Sequence, residues 1–379
     1  MWHLGKVLLR GAGLGPALRV ADETPAPRPE PSRGRRLANG RRAIAWTIAS
    51  FFALQCLFVA TLDTLRPDIY DREAGVRLAL LQERIREHPE RPVVLVVGSS
   101  RIGLGFVPRE LPPLATADGR EAIPFNYSHL AAGPRMNLIQ VHRVLRAGIK
   151  PGWVVLEILP GGLYHEGTQA TMTTAPDLPV LLRHAGAGRV GLYYCRNRLN
   201  PFYKHRRDVL EMIAPTFATP GARTNAVTLE PLGDDLTWQR RTRPDDEARR
   251  AHAAVAVGRI YSERLKMLPI DPELDSATRE LLAVCRDRGI PVVIVLTPED
   301  GLFRSWYGPT GEANLRDYMN TLRREYGVEV TDARAWVPDE HFADPHHVTL
   351  GGASIFTERL GREVLRPLVA GQPRPPETR

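Results

Sequence analysis

Residues Pro92–Phe106 read PVVLVVGSSRIGLGF, and the first six of them form an unbroken aliphatic run. A strand without a polar face has to be covered on both sides, which is the situation of a parallel sheet between helices. The run stops at Gly98-Ser99-Ser100-Arg101, where a glycine permits a turn that a Cβ would resist. The same punctuation recurs along the chain. A proline and then a Val-rich run follow a helical stretch at Pro92-Val93-Val94, at Pro151-Gly152-Trp153-Val154-Val155 and at Pro291-Val292-Val293. Gly148 and Gly289 stand just ahead of two of these, as helix stop signals do. Such alternation predicts βαβ units. Strands are expected near 92–97, 122–126, 153–159, 291–297 and 328–331, and helices near 72–87, 134–147, 276–288, 312–326 and 352–365.

A second constraint lies upstream. Ala43–Leu62, AIAWTIASFFALQCLFVATL, carries no charge over twenty residues. That is the helical length that crosses about 30 Å of hydrocarbon. Arg35, Arg36, Arg41 and Arg42 precede it, while Asp63, Arg66, Asp68 and Asp71 follow. The bias places the N-terminus in the cytoplasm and the main domain outside it, in the periplasm, as a single-pass inner-membrane protein. A buried core helix would show a polar face. A cleaved signal peptide has a shorter basic lead and a small-x-small site. The reading taken is a retained anchor.

The net charge of +8 belongs to the same region, since residues 1–42 hold nine of the 51 Lys and Arg and three of the 43 Asp and Glu. The remaining chain is close to balance and calls for no nucleic-acid partner. Residues 1–42 are expected to be a basic, largely disordered tail, with disorder from about Asp22 to Gly40. The α/β domain is expected over 72–370, and QPRPPETR after Gly371 is a disordered end.

Residues 161–270 interrupt the alternation with aromatic and basic clusters such as Tyr193-Tyr194-Cys195-Arg196 and Pro201-Phe202-Tyr203-Lys204. They are expected to form a mostly helical insertion, either a lid that carries specificity or a surface layer. Cys56, Cys195 and Cys285 fit no disulfide framework or zinc pattern, and Cys285 falls on an apolar helix face.

The chemistry-bearing residues sit at two ends of this plan. Ser100 lies just past a buried strand, where open α/β sheets place their ligands; it is a candidate nucleophile, or Ser99 or Ser100 is a helix cap. Near the C-terminus stands His341-Phe342-Ala343-Asp344-Pro345-His346-His347-Val348-Thr349. A serine nucleophile needs a base and the base an orienting carboxylate. Asp344 and His347, three apart in a loop, supply that pair. Asp344 also suits a turn or cap, Thr349 a helix cap, and the histidines a metal, although no fixed ligand spacing supports a metal. Gly133, before Pro134, opens a helix; its N–H is a candidate oxyanion donor with that of Ser100, or the glycine simply allows tight helix entry.

GSS after the first strand, Gly133 after the second and Asp344-x-x-His347 near the end together resemble the SGNH/GDSL hydrolase superfamily. The GSS variant is similar to its membrane-anchored branch, related to the protein that transfers D-alanine to teichoic acids. The resemblance implies Ser100 as nucleophile, His347 as base, Asp344 as its orienter, and Ser100 and Gly133 as oxyanion donors. The third-block Asn of that family has no counterpart; Val155-Leu156-Glu157-Ile158-Leu159-Pro160 stands there instead. Asn126 and Arg101 are the candidate substitutes. The fold expected is α/β, a three-layer α/β/α domain on a parallel five-stranded flavodoxin-like sheet, plus one N-terminal transmembrane helix. The activity expected is an esterase or O-acyltransferase acting on an acylated glycan, wall polymer or lipid, beside a membrane-bound acyltransferase, with no cofactor and no metal. The alternative is a non-catalytic envelope scaffold or glycan-binding partner of such an acyltransferase.

Overall fold

The structure is a computed structural model and describes residues 33–65, 71–164, 173–186 and 247–371, with short pieces between 188 and 239. The aromatic and basic clusters around Cys195 and Phe202, and the C-terminal tail, lie outside the described residues.

The first helix, α1, runs Arg33–Leu65. Its start lies inside the stretch expected to be disordered, so residues 33–40 are its first turns. Extending a formed helix costs far less than nucleating one, and Arg, Leu and Ala propagate it well. Within it Asn39–Asp63 is long and apolar enough to cross a membrane, at 25 residues and mean hydropathy 1.9. Ile44, Trp46, Phe52 and Leu54 are exposed along it, which a core helix would not allow. The two compact units of the chain divide within this helix, at Ala53–Leu54.

Helix α2, Arg72–Glu87, begins on Asp71, whose carboxylate accepts the Ala74 N–H. Strand β1 is Val93–Val97, followed by the short helix α3, Ser100–Gly105. Strands β2, Leu114–Ala115, and β3, Glu121–Asn126, lead to α4, Pro134–Arg146, and β4, Trp153–Glu157. The insertion contributes α5, Leu178–His184, a short hairpin of β5, Glu230–Leu232, and β6, Thr237–Gln239, and α6, Glu247–Leu265. Helix α7, Pro272–Asp287, precedes β7, Val292–Leu296; α8 is Gly301–Ser305 and α9 Pro309–Tyr326. Strand β8, Glu329–Asp332, is followed by the tight pair β9, Phe342–Asp344, and β10, His347–Val348. The chain closes with α10, Leu350–Leu360, a π-helical turn, and α11, Arg366–Val369.

Six strands form the main sheet in the order β2-β3-β1-β4-β7-β8. The expected five are all present and mutually parallel. The sixth, β2, is an antiparallel edge strand beside β3 and corrects the expected count. Two residues after Pro112-Pro113 are too few to show a period, and a turn through Gly119, at φ +82°, closes the hairpin.

Burial follows the two-residue period of the strands. Val93, Leu95, Val97, Val154, Leu156 and Ile294 join the core with Leu81 of α2, Leu138 of α4, Leu281 of α7 and Leu322 of α9. Val94, Val96, Val155, Val293 and Val295 point the other way, onto Ile102, Phe106, Phe356 and Leu360. That two-sided burial is why β1 and β7 carry no polar positions. Cys285 is fully buried on α7, and burial pushes its thiol up to about 12.

A buried ionic network joins the first turn of α2 to the loop after β3. The His129 ring meets the Leu130 carbonyl through Nδ1 and the Asp71 carboxylate through Nε2, each at 3.0 Å. Both partners are acceptors, so both ring nitrogens carry protons and His129 is an imidazolium. Arg143 of α4 bridges Asp71 and Asp177, and Glu73 accepts the Leu130 N–H and pairs with Arg77. Burial alone would lower the His129 pKa, but Asp71 and Glu73 outweigh it and hold it above the ordinary value. An unfolded histidine titrates near about 6.5. The stabilisation is therefore complete below about pH 6.5 and is lost as pH rises through the higher folded value. The melting temperature of the full chain in detergent is expected to fall on that alkaline side, and less so in His129→Gln. Equal slopes in the two proteins would show that His129 is neutral.

Candidate active site

The turn after β1 is set by close approach. A Cβ on Gly98 would lie 2.6 Å from both Glu157 Oε2 and Ile102 Cγ1 and 2.7 Å from Glu157 Cβ, and both side chains are buried. Glu157, at the end of β4, is buried and accepts the Ser99 N–H through Oε2 and the Thr297 hydroxyl through Oε1 at 2.6 Å. Gly98→Ala is expected to cost about 1–3 kcal/mol by overpacking and to displace the turn. Chemical denaturation of the two proteins measures it, and an unchanged midpoint would show that the turn is not tight.

Of the two serines the cap is Ser99, whose Oγ accepts the Arg101 N–H at 3.2 Å. Ser100 is the first residue of α3 and its hydroxyl is left for another partner. Ser100 Oγ lies 2.8 Å from His347 Nε2. His347 Nδ1 in turn faces Asp344, at 2.9 Å from Oδ2 and 3.1 Å from Oδ1. The hairpin β9–β10 makes this pairing, since His347 and Asp344 are register partners across it. Asp344 Oδ1 also accepts the backbone N–H groups of His346 and His347, at 3.1 and 2.9 Å, so the turn orients the carboxylate before the imidazole meets it.

Burial pushes the Asp344 carboxyl up, but His347, with smaller help from His346, holds it well below the usual range. Ionised Asp344 accepts a hydrogen bond from the Nδ1–H, which leaves Nε2 as an acceptor toward the Ser100 hydroxyl. Thr349 caps α10 by accepting the Gly352 N–H, which fixes the exit from the hairpin. Ser100, Asp344 and His347, 244 or more positions apart across the chain for the serine, thus form one hydrogen-bonded relay at the carboxyl ends of the parallel strands.

The two substitute oxyanion donors are placed otherwise. Asn126 is fully buried and its Nδ2 donates to the carbonyls of Ile102, at 3.1 Å, and Phe106, at 2.8 Å. Both amide hydrogens are spent clamping α3, so it is no oxyanion donor. Arg101 is an internal strut: its side chain is 2% exposed and Nη1 pairs with the buried Glu299 at 2.9 Å. Its guanidinium lies 4.8 Å over the Phe303 ring, while Nε and Nη2 have no hydrogen-bond partner among the described residues. Burial raises the Glu299 carboxyl and the Arg101 charge opposes that rise. Gly133 stands where expected, at the N-terminus of α4 ahead of Pro134.

Several residues at the site carried no sequence signal. Glu157 and Glu299 are single acids at strand ends. Tyr261 of α6 and Phe303 of α8 lie 5.7 Å from the His346 ring, and His346 lies 4.1 Å from His347. The insertion therefore supplies one wall of the histidine pair. Asp344, His346 and His347 also offer three ligand atoms within 4.8 Å of one another. A metal bound through His347 Nδ1 would displace its hydrogen bond to Asp344, so relay and metal compete for that atom.

A family model without an assigned function matches residues 273–368, a stretch that holds Asp344 and His347 but not Ser100. No curated protein matches the chain.

Proposed function

We propose that the chain is a membrane-anchored, extracytoplasmic serine esterase or O-acyltransferase of the SGNH/GDSL type. The observation that carries this reading is the Ser100–His347–Asp344 relay. The parallel-strand order β3-β1-β4-β7-β8, helices on both faces, and the hydroxyl at the carboxyl edge support the three-layer, flavodoxin-like assignment. The apolar helix Asn39–Asp63, with its preceding arginines, supports a retained anchor with the domain outside the cytoplasm.

In this mechanism the Ser100 oxygen adds to an ester carbonyl as its proton passes to His347 Nε2. Ionised Asp344 steadies the imidazolium that forms. Backbone N–H groups of Ser100 and Gly133 hold the oxyanion. The carbon–oxygen bond to the leaving alcohol breaks, and that alcohol takes the proton from His347. Water or an acceptor hydroxyl then attacks the acyl-serine, giving its proton to His347, and Ser100 is regenerated as the acid or the new ester departs. The substrate is an acylated glycan, wall polymer or lipid of the envelope, with a membrane-bound acyltransferase as partner.

A second reading, a non-catalytic envelope scaffold, draws on Glu157. Where the resembled family has a donor, β4 ends in an acceptor already engaged by Ser99 and Thr297. Labelling of the full chain with a serine-reactive fluorophosphonate separates the two. Labelling lost in Ser100→Ala and kept in Ser99→Ala supports the enzyme; wild-type protein that never labels, yet still captures its partner, supports the scaffold.

A further inference from the structure

The relay uses one histidine of an adjacent pair. His347 gives Nε2 to Ser100 and Nδ1 to Asp344, and His346 takes no part in that proton path. Packing against Tyr261 and Phe303, each 5.7 Å from the His346 ring, would be served as well by a phenyl group. The imidazole instead brings its Nδ1 to 3.6 Å from Asp344 Oδ1. Asp344, His346 and His347 thereby offer three ligand atoms within 4.8 Å of one another.

This donor set suits one class of ion. Two imidazoles and a carboxylate match zinc and its neighbours in the first transition row, whereas magnesium and calcium take oxygen ligands. Ligands held tetrahedrally by zinc lie about 3.3 Å apart. The separations of 2.9 Å, from His347 Nδ1 to Asp344 Oδ2, and 3.6 Å, from His346 Nδ1 to Asp344 Oδ1, fall on either side of that spacing. The outer support that a ligand set needs is also present. Two backbone N–H groups hold the Asp344 carboxylate through Oδ1, and the two aromatic rings hold His346. Asp300 of the neighbouring loop donates its N–H to the Pro345 carbonyl at 3.1 Å, which places a second acidic residue beside the hairpin turn. The His346 and His347 side chains keep 12% and 14% of their surface in solvent, which gives an ion a way in.

We propose that Asp344, His346 and His347 form a site for a single zinc-like divalent ion, and that its binding switches the Ser100 relay off. The proposal rests on reading Ser100, His347 and Asp344 as the catalytic relay. An imidazole that gives its Nδ1 lone pair to a metal carries its one proton on Nε2. On binding, the proton that Nδ1 shared with Asp344 therefore moves to Nε2, and no proton is lost from the ring. That Nε2–H donates to the Ser100 hydroxyl and cannot take its proton. The ion and the serine occupy different nitrogens of one ring, so the ion removes the base without touching the nucleophile.

The test uses the full chain in detergent, purified without a histidine tag. Cobalt(II) is the probe, because it shares the ligand preferences of zinc and absorbs strongly in the visible when four-coordinate. Wild-type protein is expected to develop these bands with one equivalent of cobalt and to lose them when zinc is added. Ser100→Ala and His341→Ala, both outside the ligand group, are expected to keep the bands, and His346→Ala and His346→Phe to lack them. Wild-type protein without such bands overturns the site, as do bands that survive in both His346 variants. Fluorophosphonate labelling of Ser100 is then compared with and without zinc in each protein. Zinc is expected to slow wild-type labelling several-fold, EDTA to restore it, and the ratio to fall toward one in His346→Phe. Zinc that displaces cobalt yet leaves the labelling rate unchanged overturns the switch. If His346-dependent bands form in a protein that never labels, with or without EDTA, the hydrolase reading fails and the metal site stands.

Discussion

Ser100→Ala is expected to lower ester turnover by on the order of 10⁴- to 10⁶-fold, the range for removing the nucleophile of a coupled triad. The hydroxyl is held 2.8 Å from an imidazole nitrogen that a buried carboxylate has already set as an acceptor. No second hydroxyl shares that position, because Ser99 is committed to capping α3. His347→Ala should cost nearly as much, and the double variant little more than either alone, since residues acting as a unit are not additive. The thermal midpoint should barely move in Ser100→Ala, because the side chain is only partly buried and its loss opens no large cavity. Hydrolysis of a soluble fluorogenic ester by the full chain in detergent measures this. Ser100→Ala protein with more than a tenth of wild-type turnover would remove the nucleophile assignment.

Asp344→Asn is expected to lower turnover by about 10⁴-fold while leaving the fold intact, the loss that accompanies the wrong histidine tautomer. Asp344 Oδ1 accepts two backbone N–H groups, from His346 and His347. An asparagine keeps both by placing its carbonyl oxygen there, so the turn survives. Its amide nitrogen then faces His347 Nδ1, where Asp344 has an acceptor oxygen. That amide donates, which leaves Nδ1 bare and puts the proton on Nε2. A protonated Nε2 cannot take the Ser100 proton. Asp344→Glu, which restores an acceptor, should recover part of the loss, and that recovery separates tautomer control from a packing role. Asp344→Asn turnover within tenfold of wild type would show that His347 needs no orienting carboxylate.

Much of the frame was legible because its signals are local. The runs at 92–97 and 291–296 carried no polar residue, and each is a strand buried on both faces. Helix α7 begins four residues before the expected 276 because Asp271 caps it, its carboxylate accepting the Glu273 and Leu274 N–H groups with Pro272 at the first turn. That capping signal was in the sequence and the apolar spacing did not reach it. The short pieces were harder. Strand β2 has two residues and β10 two, which is fewer than any period needs to declare itself. The insertion was legible only as an interruption, and Tyr261 on α6 had no pattern to mark it as a neighbour of His346.

By itself the sequence determined the five parallel strands, the main helices between them, where an apolar helix precedes the domain, and which residue types are available for acyl chemistry. These depend on side-chain period, caps and glycine or proline placement, all properties of neighbours in the chain. Tertiary structure alone decided which of those residues act together. It brought Ser100 to His347 across 247 positions and spent Asn126 on α3. It buried Arg101 against Glu299 and set Asp71 beside the nucleophile turn. The reason is that a hydrogen bond depends on distance in space, and strand order in a parallel sheet, not order along the chain, sets which loops meet at its carboxyl edge.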